Sequence, residues 1–147
     1  MRVRVLLGVP TEKKERAVEK EIVKQSLREE LKRVCKMLGE EPPELKVRFR
    51  SNPNLLRSQY TSGYAYVERD VISMTMGVSD QDEWLWVLYH ELAHIVEWRK
   101  HRNHHHDRRF WRTAKGIYIK AGLDLSIPAR REYKRGQRWF AGEVRER

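Results

Sequence analysis

Residues 90–94 read His90-Glu91-Leu92-Ala93-His94. On a helix, histidines at positions i and i+4 share one face, a turn apart. Their imidazoles can converge on one zinc ion, with each nitrogen at about 2.0–2.1 Å. Glu91 lies about 100° round the helix axis from His90. From there a carboxylate reaches a water beside the ion without being a ligand. It can take the water's proton during attack and hand it to a leaving amine. The pattern therefore predicts Zn2+ and hydrolysis. A metal-free His pair on a buried helix would leave its ring nitrogens in need of other partners.

A hydrolytic zinc site takes three protein ligands and keeps one position open. All six histidines fall between residues 90 and 106: His90, His94, His101, His104, His105 and His106. The chain must turn back after the helix ends near Asn103, and a His that opens the next helix can reach the ion. His106 is the expected third ligand, with His105, His104 and then His101 as alternatives. A Glu ligand would make the site gluzincin-like, from Glu97, Glu132 or Glu143. Glu97 points poorly from the same helix, which leaves Glu132 as the main carboxylate alternative. Metzincin spacing fails, because Lys100 stands six residues after His94. Asp107 reads as a helix N-cap, with orientation of a ligand imidazole as a second role. Tyr64, Tyr66, Tyr118 and Tyr133 are candidate donors to an oxyanion, and each also reads as packing.

The elements that must position these residues follow from periodicity. Val3, Val5 and Leu7 alternate with charge and predict a short strand. Thr11 is placed to cap a helix running to about Leu38, with Val23, Leu27, Leu31, Val34 and Leu38 on one stripe. Gly39 and Pro42-Pro43 stop it. Cys35 lies near the stripe and reads as a buried, inert thiol. Leu45, Val47 and Phe49 alternate with Lys46, Arg48 and Arg50, which predicts a strand with one wet face. Ser51 to Asn54 is loop chemistry. Tyr60–Val67 and Val71–Met76 read as a hairpin joined by Glu68-Arg69-Asp70. Ser79 or Asp80 then caps a helix over about 80–102, which is apolar all round from Trp84 to Tyr89 and so belongs at the centre. A further helix follows Asp107 and ends at Gly122. Pro128 opens a last helical stretch, weakened by Gly136 and Gly142, with a frayed end.

His90-Glu91-Leu92-Ala93-His94 followed by His106-Asp107-Arg108-Arg109-Phe110-Trp111 resembles the SprT-like zinc metallopeptidases and their WLM and YgjP-type relatives. The resemblance spans roughly residues 45–122. It implies a zincin-like α+β domain with His90, His94 and His106 as ligands and Glu91 as general base. It also implies that the strand Val71–Met76 is an edge strand pairing with an extended peptide. Action on proteins associated with DNA is implied too. Two features depart from the family: Asp107 stands where Gly is frequent, and a lone cysteine cannot build the C-terminal zinc ribbon that SprT proteins often carry.

The chain of 147 residues has the length of one ordinary domain. We expect a single zincin-like unit over 1–122, a small mostly antiparallel sheet packed on the zinc helix, and a basic extension over 123–147. One cysteine rules out an internal disulfide and suits a reducing cytoplasm. The N-terminus does not read as a secretory signal, and no apolar run is long enough to span a membrane. The net charge is +10, yet residues 1–97 balance at 16 basic and 16 acidic groups. Residues 98–147 carry 15 basic against 5 acidic, and 11 of the 15 are Arg. Arg130, Arg131, Lys134, Arg135 and Arg138 are the expected nucleic-acid contacts. Trp139 and Phe140 either stack bases or pack on the domain. Few Asn and Gln among so many charges hint at a heat-adapted source. The rival to a peptidase is a non-catalytic nucleic-acid-binding protein with a structural zinc, in which Glu91 would have no task.

Overall fold

The computed structural model describes residues 11–50 and 61–145. The strand expected at Val3–Leu7, the Thr11 cap, the loop at 51–54 and the side chain of Glu143 lie outside the residues or side chains described.

Helix α1 spans Thr11–Leu38 and strand β1 spans Glu44–Phe49. Strands β2, Ser62–Tyr66, and β3, Val71–Met76, follow. Helices α2, Gln81–His101, and α3, Arg108–Ala121, come next. Two shorter helices close the chain, α4 over Ser126–Arg131 and α5 over Lys134–Arg145. The described residues form a mixed α+β domain with a small three-stranded sheet.

On α1, Val23, Leu27, Leu31 and Val34 are buried as one stripe, and Gly39 adopts the left-handed conformation that ends the helix. Cys35 is fully buried, and burial pushes its thiol up to about 11. Helix α2 forms the middle of the protein: Leu88, Leu92, Ala93 and Ile95 are wholly shielded, and the sheet, α1, α3 and α4 all pack on it. Its amphipathic signal is weak because most of its faces are covered. Asp80 caps it, accepting from the Glu83 N–H at 3.2 Å.

Two expectations about the sheet need correction. Among the described strands the order is β1-β3-β2, so β3 lies between the other two and β2 is the edge that faces α2. The chemistry explains this: Ile72, Met74 and Met76 on β3 are fully buried, whereas β2 exposes Tyr64 and Tyr66. The sheet is also evenly mixed. β2 and β3 form the expected antiparallel hairpin, but β1 runs parallel to β3 with Val47 opposite Met74. β1 and β2 lie on opposite sides of β3, two strand spacings apart, which is farther than a two-residue hairpin joins.

Helices α4 and α5 pack side chains against the rest of the domain. Ile127 and Phe140 are buried, and Trp139 packs on the same core. Phe140 is therefore sealed from any base, which settles its side of the stacking question in favour of packing. At Gly136 an added Cβ would sit 2.6 Å from the Trp111 ring, so this glycine allows α5 to close onto α3. Among the described residues, no helix is long and apolar enough to cross a membrane.

Candidate metal centre

His90 and His94 project from one face of α2, as the i, i+4 spacing requires. After Arg102, in the left-handed conformation that ends α2, the chain reverses. Asp107 then caps α3 by accepting from the Phe110 N–H at 3.0 Å. That cap fixes the turn so that His106, the residue before it, folds back over α2. The His106 Nε2 lies 3.1 Å from Nε2 of His90 and 3.0 Å from Nε2 of His94. All three nitrogens fall within 4.8 Å of one another. A tetrahedral zinc with bonds of about 2.0–2.1 Å sets its ligand nitrogens about 3.3 Å apart, so the donors fit such an ion.

Aromatic walls hold the rings. His94 stacks on Phe110 with centroids 4.3 Å apart, and His106 stacks on Trp111 at 5.5 Å. Glu132 sits behind His90, with Oε1 at 3.2 Å and Oε2 at 3.1 Å from Nδ1. This assigns the proton to Nδ1 and leaves Nε2 of His90 facing the other two rings. Burial together with the charge of His90 pushes His94 down to about 2 and His106 down to about 4. Both are neutral imidazoles at ordinary pH, the form that binds a metal. Burial also works against charge on His90, but the Glu132 carboxylate outweighs it and the net shift is upward.

Glu91 is 9% exposed and lies on the floor of a cleft of about 570 Å³. The three imidazoles, β2 and Tyr133 line the same cleft. Burial raises the Glu91 pKa, His90 and the Ala65 N–H oppose the rise, and the balance is upward. That direction suits a proton acceptor working near neutrality.

The other candidates fall elsewhere. Glu132 approaches Nδ1 of His90, the side opposite the cluster, so it stands outside the ligand group. Glu97 bonds Thr113 and Asn103 instead. His101 and His105 are exposed, and His104 lines the cleft beside Trp98 without joining the nitrogen cluster. The Tyr118 hydroxyl is sealed against Glu132 at 2.6 Å. Tyr133 is 68% exposed, with its ring 5.1 Å from that of His106. Arg130, Lys134, Arg135 and Arg138 are exposed, whereas Arg131 is engaged with Asp80 and Glu83.

Two functional features escaped sequence reasoning. Gly63 on β2 has room for no side chain: a Cβ there would lie 2.6 Å from Val87 Cγ1 and 3.0 Å from Glu91 Cγ. The role of Glu132 was likewise hidden, although the residue itself was a candidate. No protein-family model matches the chain, and neither a curated protein nor a solved structure is significantly similar to it.

Proposed function

We propose that the chain is a zinc-dependent metallopeptidase that hydrolyses peptide bonds, with His90, His94 and His106 as metal ligands and Glu91 as general base. One observation carries this reading: three imidazole Nε2 atoms converge beside a buried carboxylate on the floor of an open cleft. A structural zinc is closed in by its ligands and needs neither a base nor a cleft. The resemblance of residues 45–122 to SprT-like peptidases supports the same chemistry.

When bound, zinc supplies Lewis-acid polarisation of a carbonyl and brings the acidity of water close to neutrality. Glu91, kept basic by its shielded position, takes the water's proton and passes it to the leaving amine. An extended peptide would lie along the outer edge of β2, which no described strand pairs, where main-chain hydrogen bonds give affinity with little demand on sequence. Tyr133, beside the ligand rings and with no hydroxyl partner among the described residues such as holds Tyr118, is the best-placed tyrosine to donate to an oxyanion. Exposed Arg130, Lys134, Arg135 and Arg138 support the further reading that substrates are proteins associated with DNA.

Glu91→Gln tests the mechanism. The variant should keep its zinc and its fold while cleavage of an unfolded test protein falls by about 10²–10⁴-fold. Cleavage at the wild-type rate would remove Glu91 from the reaction. A wild-type protein that holds zinc, binds DNA and cleaves nothing would favour the non-catalytic rival.

A further inference from the structure

Glu132 lies beyond the stretch that resembles the peptidases, yet it is only 3% exposed. A carboxylate taken out of water must find charged or hydrogen-bonding partners. Three converge on Oε1. The Tyr118 hydroxyl donates at 2.6 Å, the Trp86 indole N–H at 2.9 Å, and Nδ1 of His90 lies at 3.2 Å. Trp86 and His90 come from α2 and Tyr118 from α3, while Glu132 itself closes α4. Next to it, Arg131 ties α4 to the start of α2 through Asp80 and Glu83. Oε1 is thus held by groups from two helices, and the carboxylate cannot turn to solvent without breaking these bonds.

We propose that Glu132 is a positioning residue for the metal centre. With Tyr118 and Trp86 it fixes the tautomer and angle of the His90 ring, so that Nε2 faces His94 and His106. This rests on the metal-centre reading above. A carboxylate on one ring nitrogen also makes the other a stronger donor, and loss of such partners characteristically weakens metal binding. The segment after residue 122 is thus part of the centre. A purely structural Glu132 would affect stability without acting selectively on the metal.

The test uses the full chain and zinc itself. Glu132→Gln keeps the side-chain volume and removes the charge. Zinc affinity, measured by competition with a chromogenic chelator, should fall by about 10–100-fold. Glu40→Gln is the control: it neutralises a half-buried carboxylate that pairs with Arg99 and Lys100 near the C-terminus of α2, away from the turn that carries His106. It should bind zinc as the wild type does, whatever it does to the melting of the zinc-free protein. Should Glu132→Gln fail to fold, the near-isosteric Tyr118→Phe, which frees the carboxylate from one donor, should lower zinc affinity in the same direction. Wild-type zinc affinity in Glu132→Gln, or equal losses in Glu132→Gln and Glu40→Gln, would overturn the proposal. A wild-type chain that takes up no zinc would overturn the metal centre itself, a failure distinct from the other two.

Discussion

Gly63 sets how closely β2 approaches the carboxylate of Glu91. Gly63→Ala would drive a methyl group into Val87 and the stem of Glu91. We expect it to lower stability by about 1–3 kcal/mol in thermal melts, with turnover falling further as the base is displaced. Unchanged turnover would show that the close approach does not matter to Glu91. Residues at this scale differed in how far the sequence revealed them. His90, Glu91 and His94 were legible because helix geometry alone fixes their relation. His106 required a choice among clustered histidines, since only the turn after α2 determines which ring comes back over the helix. Gly63 carried no signal at all, because its importance arises from a strand and a helix meeting across the fold. Glu132 was visible as an acid, but which side of His90 it meets is a matter of tertiary packing.

The start of α3 is the element on which the third imidazole depends. Asp107 caps it with an extended backbone, while its side chain also accepts from Asn103 at 3.1 Å. Asp107→Ala should cost about 1 kcal/mol of stability, and Asp107→Asn much less, because Asn retains the capping oxygen. Zinc affinity should drop in the Ala variant alone, since the cap fixes the turn that carries His106. Equal zinc affinity in both would separate the cap from the site. Helices were the more legible elements: α1, α2 and α3 each follow an apolar pattern bounded by a stop or a cap. The order of the strands was not legible. Alternation shows which side chains face inward, but not which strand lies beside which. Hence β3 reads equally well as an edge from its sequence, and only its burial against both neighbours places it in the centre.

At the scale of the whole molecule, charge and core make different uses of the same last third of the chain. Ile127 and Phe140 enter the core, while Arg130, Lys134, Arg135 and Arg138 remain at the surface. Arg131 is taken by its ion pairs with α2, a distinction that a count of basic residues cannot make. If these exposed cations contact phosphate, the logarithm of DNA affinity should fall linearly with that of salt, each contact adding about 0.9 to the slope. Replacing the four exposed residues by Ala should flatten the line, and Arg131→Ala should change it little. A salt-independent wild type would remove the phosphate contacts. The three-imidazole centre is tested most directly by an anomalous-difference map at the zinc absorption edge, recorded from crystals of the full chain. One peak is expected, about 2.0–2.1 Å from Nε2 of His90, His94 and His106 together. No peak among those rings, or one held by His104, His105 or the Glu132 carboxylate, would contradict it.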